Sequence, residues 1–385
     1  MRLAKSAPVL LALSVTLYTA GCSSDESGTG DDDSGGENGG DASDDVASGE
    51  DAATGEVVEI PDDVTEDMTF TAGTYIVPHD FRVHATLTIE PCVVIEGHNR
   101  IYVENGGVIE AAGDEDCPVT FTSSADTPAP GDWRSLEIKS TAGGESSFEH
   151  VVFEYGGRDD HEVVKVAADA SFRDTTIRHA DASGISQTDG TISELTDMTF
   201  ESLAGHPMRI AIDDIDAIDG VATADVENET IFVAGSTLSE PATWAPQSIP
   251  YELFGSSTNF HIEDELTIQA GTTVLISTGN VRGFIQDGGS LQVEGTEDAP
   301  VVIESVEETP APGDWRNLRF YDSAEPSSFR WTTIRHGGSS SQGGALYAEA
   351  EVELENVTFE ENDGCDVRDA GEFVTADDSS SYRPC

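Results

Sequence analysis

A stretch of eight residues occurs twice in this chain. Thr127-Pro-Ala-Pro-Gly-Asp-Trp-Arg134 returns as Thr309-Pro-Ala-Pro-Gly-Asp-Trp-Arg316, 182 residues later. Gly106-Gly-Val-Ile-Glu-Ala-Ala-Gly113 matches Gly288-Gly-Ser-Leu-Gln-Val-Glu-Gly295 at the same offset, and Ser146-Ser-Phe148 matches Ser327-Ser-Phe329 one residue away from it. Leu87-Thr-Ile89 pairs with Leu266-Thr-Ile268, and Tyr75-Ile-Val77 with Tyr251-Glu-Leu253. A shorter rhythm runs inside each copy. Phe148 to Phe153, Phe172 to Ile177 and Leu195 to Phe200 share one pattern of apolar ends around small or β-branched residues, and Phe329 to Ile334 and Leu354 to Phe359 repeat it. The steps are 23 to 25 residues. A unit this short cannot bury its own apolar face, but stacked coils cover one another. Glycine pairs at Gly156-Gly157, Gly337-Gly338 and Gly343-Gly344 supply corners. The spacing therefore predicts an all-β chain wound as a parallel β-solenoid. About 24 residues per coil gives roughly thirteen or fourteen coils, a stack of about 65 Å.

Leu266-Thr-Ile-Gln-Ala-Gly271, Gly288-Gly-Ser-Leu, Gly295-Thr-Glu-Asp-Ala-Pro300, Gly313-Asp-Trp315 and Phe329 to Gly338 follow one another in an order that resembles pectin-lyase-like right-handed parallel β-helix surface lipoproteins of Gram-negative bacteria. Asn228 to Val233 and Thr243-Trp244 fit the same order. The resemblance covers nearly all of residues 57 to 370. It implies a right-handed parallel β-helix and a membrane anchor, and it says little of activity, since that fold hosts lyases, hydrolases and adhesins.

The N-terminus reads as an address. Arg2 and Lys5 precede a mostly apolar run from Val9 to Tyr18, too short to span a bilayer. Thr19-Ala20-Gly21-Cys22 resembles a bacterial lipobox, with Thr19 where leucine is usual. Diacylation of Cys22 would supply the two chains that stable attachment needs. With Ser23 after the cysteine, the resemblance implies no inner-membrane retention signal of the aspartate type, and hence an outer-membrane anchor at the cell surface or the periplasmic face. Residues 23 to 56 hold about a dozen acids and no Lys or Arg, so like-charge repulsion and scarce apolar surface predict a disordered tether. The expected organisation is a signal at 1–21, a tether at 22–56, one β-helix copy at 57–225, and a second at 226–385 with a C-terminal cap.

Four cysteines remain beside Cys22. Cys92 aligns near Gly271 and Cys117 with Ala299, so both are absent together from copy two. They stand 25 residues apart, one coil, where strand spacing falls in the Cα range a disulfide bridges. Cys365 and Cys385 are then the second pair. That bond would lash the tail over the last coil, whose open end otherwise exposes strand edges.

The chain sets 75 acids against 18 Lys and Arg, a net charge of −57. That excludes nucleic acid as a partner, because phosphate binding needs a basic footprint. The duplicated Gly131-Asp132-Trp133 and Gly313-Asp314-Trp315 read as fold-forming: glycine to turn, aspartate for turn amides, tryptophan to pack. A lyase on this fold would need acids holding Ca²⁺; Asp159-Asp160-His161 and Asp213-Asp214-Ile-Asp216 are the nearest clusters to that, and neither has a calcium-loop spacing. No cofactor is expected, with a weak Ca²⁺ site as the alternative. A single active site would lie outside the recurring residues, and Arg209 beside Asp213, Asp214 and Asp216 is the best place for one. The expected function is that of a non-catalytic, monomeric envelope lipoprotein whose β-helix is a binding, adhesion or structural surface module, with a polysaccharide or a surface protein as the candidate ligand. A polysaccharide lyase or glycoside hydrolase on the same scaffold is the alternative.

Overall fold

A computed structural model describes residues 57–60, 63–235, 237–253, 259–339 and 343–385. Cys22, the signal and the tether lie outside the described residues. From Val57 onward the chain winds as a parallel β-helix in which short strands pair with their equivalents one coil away. One sheet runs unbroken through thirteen parallel strands, one per coil, from Asp63–Val64 to Thr358–Glu360. Period-two alternation drives this: in Val93–Gly97 and Val119–Ser123 every second residue is buried. Like residues stack coil upon coil. Phe148 lies on Phe172 with ring centroids 5.0 Å apart, and Phe121 on Phe153 at 4.8 Å. Stacking of this kind adds about 0.5–1.5 kcal/mol to area burial.

The two copies do not follow each other in phase. The strand Gly73–Val77, which holds Tyr75, belongs to the first sheet, whereas its repeat equivalent Tyr251–Leu253 lies in the unbroken one. Ser135–Ile138 lies in the unbroken sheet, and its equivalent Asn317–Phe320 in a six-stranded sheet. The second copy is therefore advanced by one face of the helix. The shift occurs at the junction. Ile192–Leu203 is a twelve-residue strand that runs past a corner and pairs with both Ala170–Arg173 and Thr176–Ala180. Ile218–Val226 repeats this on the next coil. Between them the 3-10 segment Ile212–Ala217 buries Ile212 and Ile215. New sheets then begin at Thr237–Leu238 and Ala242–Trp244.

Cys92 and Cys117 are bonded with their Cα atoms 4.8 Å apart, and Cys365 and Cys385 at 5.2 Å. The last residues cover the final coil, where Cys385 donates its amide to Val367 O (3.0 Å). Asp366, nearly inaccessible, accepts from Arg383 Nη2 at 2.7 Å and from the Arg383 amide at 2.7 Å.

Candidate functional site

The repeated Gly-Asp-Trp segments serve the fold. Trp133 and Trp315 are buried, and their indole N–H groups donate to Glu154 O (2.7 Å) and Arg335 O (3.0 Å) on the next coil. Asp132 accepts from the Ala129 amide at 2.8 Å and Asp314 from the Ala311 amide at 2.9 Å. Gly131 and Gly313 sit at φ 81 and 88, where a side chain would be strained.

The junction residues are not brought together as a catalytic set. Asp214 accepts from the Ile192 amide at 2.9 Å and from the Gln187 side chain, fastening the 3-10 segment to the preceding coil. Asp213 accepts from the Ser239 amide at 2.8 Å. Burial, with Asp214 nearby, raises the Asp216 carboxyl above its ordinary value. Arg209 lies instead over the Phe232 ring, 5.0 Å from its centroid, and forms no ion pair among the described residues. Asp159 is paired with Arg134 at 2.5 Å. No group of three or more His, Cys, Asp or Glu among the described residues is disposed to hold a metal ion.

Outward-facing side chains of the second strand in each coil form the arrangement that sequence reading missed. In the C-terminal half the in-register column is His261, Phe284, Arg319, Tyr347 and Arg368. Four steps at strand spacing make it about 19 Å long. The neighbouring column places Arg282 opposite Asn317. Arg319 lies over Tyr321 (4.3 Å) and Tyr347 (4.7 Å), and Arg368 over the Tyr347 ring (4.7 Å). Glu349 accepts from Arg319 at 2.8 and 3.1 Å. Asn317 is 2% exposed, yet its Oδ1 has no hydrogen-bond partner; nor does Arg316 Nη1. Burial, with Arg316 and Arg319 close by, lowers the Arg282 pKa from its ordinary value. Arg282, Phe284, Asn317, Arg319, Tyr347 and Arg368 border a groove of about 320 Å³.

Copy one carries the same positions with different charges. At the 182-residue offset Arg100, Tyr102, Ser135, Glu137, Lys139 and Lys165 correspond to Arg282, Phe284, Asn317, Arg319, Tyr321 and Tyr347. Its column reads Arg82, Tyr102, Glu137 and Lys165. Glu137 stands where Arg319 stands in copy two. It pairs with Arg100 Nε at 3.1 Å and with Lys139, and it accepts from the Ser135 hydroxyl at 3.1 Å. Burial pushes this carboxyl up, but Lys139, Ser135 and Arg100 outweigh it and hold it below its ordinary value. Copy one thus sets a carboxylate, Glu137, between Arg100 and Lys139, where copy two has Arg319 paired with Glu349. Because the copies are out of phase by one face, the two columns stand on different sheets.

Half of the sixteen Lys and Arg beyond residue 21 belong to these two columns and their immediate neighbours. Their separation in sequence hides them, since successive members are 20 to 35 residues apart.

A family model described as a pectate-lyase-like β-helix domain matches residues 62–164 and 236–349. Arg82 to Glu137 of the first column and His261 to Tyr347 of the second fall inside the matched stretches. No curated protein and no solved structure matches the chain.

Proposed function

The chain belongs to the pectate-lyase-like β-helix domain family, and on that premise we propose that it is a lipid-anchored envelope protein whose β-helix is a non-catalytic binding module for an acidic polysaccharide. The observation that carries this reading is the Arg319–Tyr347–Arg368 column with Arg282 and Arg316 beside it. Guanidinium groups resting over tyrosine rings are preorganised, so little side-chain entropy is lost when a ligand arrives. A linear acidic polymer can follow a column that climbs from coil to coil. Attachment at the outer membrane rests on the lipobox ending at Cys22.

Binding is tested by titrating the purified full chain with acidic and neutral polysaccharides. Arg319→Ala is expected to weaken acidic-polymer binding about tenfold, the value of one charged hydrogen-bonding group. Equal binding of neutral and acidic polymers would refute the reading. Cys22→Ser is expected to move the protein out of the membrane fraction and to abolish acyl labelling; a mutant that stays with membranes would overturn the anchor. The enzyme reading draws on one constellation, Glu137 between Arg100 and Lys139, with His161 Nε2 2.8 Å from Arg100 Nη2. Release of new sugar ends by the wild-type chain, lost in Glu137→Gln, would establish it.

A further inference from the structure

We infer that the free edge of Ile218–Val226 is a docking site for a basic, extended segment of a partner protein, which adds to it as a further strand. This surface is separate from the cation–aromatic column and does not depend on the polysaccharide reading.

The edge exists because the next coil is too short to cover it. Met208 and Ile231 are 23 residues apart in register, but Ile231 and Tyr251 only 20. The shortened stretch, Ala245-Pro-Gln-Ser-Ile-Pro250, carries two prolines, which have no N–H for a ladder. It reaches the start of Ile218–Val226 through two side chains. Gln247 Nε2 donates to Ile218 O at 3.2 Å, and the Ser248 hydroxyl donates to Val221 O. Beyond Val221 the strand pairs with Ile192–Leu203 on one side and with no described strand on the other.

Strand alternation fixes which groups are left open. Val221 O points away from Ile192–Leu203, so the Thr223 N–H and C=O point the same way. Neither has a hydrogen-bond partner among the described residues. Ala222 and Ala224 are exposed, and half-buried Thr223 stacks on Phe200 with its hydroxyl donating to Glu229 at 3.1 Å. An incoming strand therefore meets an unpaired donor and acceptor between side chains too small to block it. Exposed edges are usually blunted by lysine, proline or a bulge. Ala222-Thr-Ala-Asp225 has neither lysine nor proline.

Charge selects the occupant. Asp219, Asp225, Glu227 and Glu229 are exposed along this strand and the turn after it, and none forms an ion pair among the described residues. No Lys or Arg occurs between Arg209 and Arg282. On the same face Arg178 lies two coils below Ala224 and is paired with Glu154 at 2.7 Å. A second copy of this chain would bring the same acids against these, and like charges opposed across a strand pair are destabilising. A segment with Lys or Arg at alternate positions fits instead. Its cations stand beside Ala222 and Ala224 among the acids, and its intervening residues beside Thr223.

The test uses the full chain at physiological NaCl with three labelled peptides: alternating Lys and Val, alternating Glu and Val, and the Lys/Val peptide N-methylated at every residue. The last keeps the charge but cannot donate to a ladder. The Lys/Val peptide is expected to bind about tenfold tighter than its N-methylated form, and to slow amide exchange over residues 222–226. The Glu/Val peptide should not bind. Asp225→Asn combined with Glu227→Gln should weaken binding several-fold, and asparagine suits the φ of 56 at residue 225. The same charge change made at exposed sites elsewhere, Glu308→Gln with Asp322→Asn, should leave it unaltered. Thr223→Pro removes the edge N–H and should abolish binding; it is read only after circular dichroism shows a native spectrum, and the N-methylated peptide asks the same question of the wild-type chain. Equal binding of the two Lys/Val forms would reduce the effect to charge attraction and overturn the docking site. Absence of binding would overturn it too. So would a concentration-dependent dimer of the wild-type chain that Thr223→Pro abolishes, since the edge would then belong to a second copy.

Discussion

Trp315 and Gly337 illustrate how tightly single residues are constrained. A methyl group at Gly337 would lie 2.5 Å from Trp315 Cζ2, whereas at the equivalent Gly156 the nearest atom of Trp133 is 3.1 Å away. Gly337→Ala is expected to cost about 1–3 kcal/mol through overpacking, and Gly156→Ala less. Thermal melts of the two variants compare them directly, and an equal or reversed order would contradict the packing account. Asp366 is constrained by charge. Burial tends to raise its carboxyl, but hydrogen bonds from Arg383 and Asn362 prevail and hold it below the ordinary aspartate value of 3.8. A depressed carboxyl stabilises the fold fully above that value, and the contribution is lost as pH falls through the lower folded one. Asp366→Asn should therefore lose about 1–3 kcal/mol at pH 7 and progressively less below pH 4. Chemical unfolding at pH 7 and pH 3 measures the difference; an equal loss at both would show that the charge on Asp366 contributes nothing.

At the scale of a coil, the Cys92–Cys117 bond has an unused counterpart. Cys92 donates its amide to Cys117 O at 3.2 Å, and Gly271 donates to Ala299 O at 3.0 Å. A Cβ placed on Gly271 would stand 3.7 Å from the Ala299 Cβ, within the range of disulfides. Cys92 already holds φ 67, close to the φ 85 of Gly271, so cysteine is accommodated in this corner. The double variant Gly271→Cys/Ala299→Cys is expected to oxidise spontaneously and to gain up to about 3 kcal/mol, less any strain. Thiol titration under denaturing conditions decides it: two extra free thiols after air oxidation would mean that the corners are not equivalent.

The molecule as a whole is strongly charged. Loss of Arg2 and Lys5 with the signal would make the net charge of −57 two units more negative. Self-repulsion at that charge opposes the compact state, and salt screens it over about 8–10 Å. The melting temperature should rise from low to physiological NaCl. A flat profile would mean that the many local pairs, such as Arg335 with Glu304 at 2.7 Å and Arg178 with Glu154 at 2.7 Å, already offset the repulsion. Against that background Arg316 and Arg368 are conspicuous for lacking such acids among the described residues.

The solenoid, its coil length and the place of Trp133 and Trp315 were legible in the chain, because each depends on residues that recur at a fixed step. Periodicity is local information, and a stacked coil reads it directly. The cation–aromatic column was not legible. Phe284, Arg319, Tyr347 and Arg368 become neighbours only through strand register, and a slip of one residue would have turned them into the core. Nor could the repeat disclose that its second copy is advanced by one face. That depends on where Ile192–Leu203 runs past a corner and on the inserted segment Ile212–Ala217, which have no counterpart in copy two. Recurrence determined the scaffold; the pairing of distant strands alone decided which side chains meet on its surface.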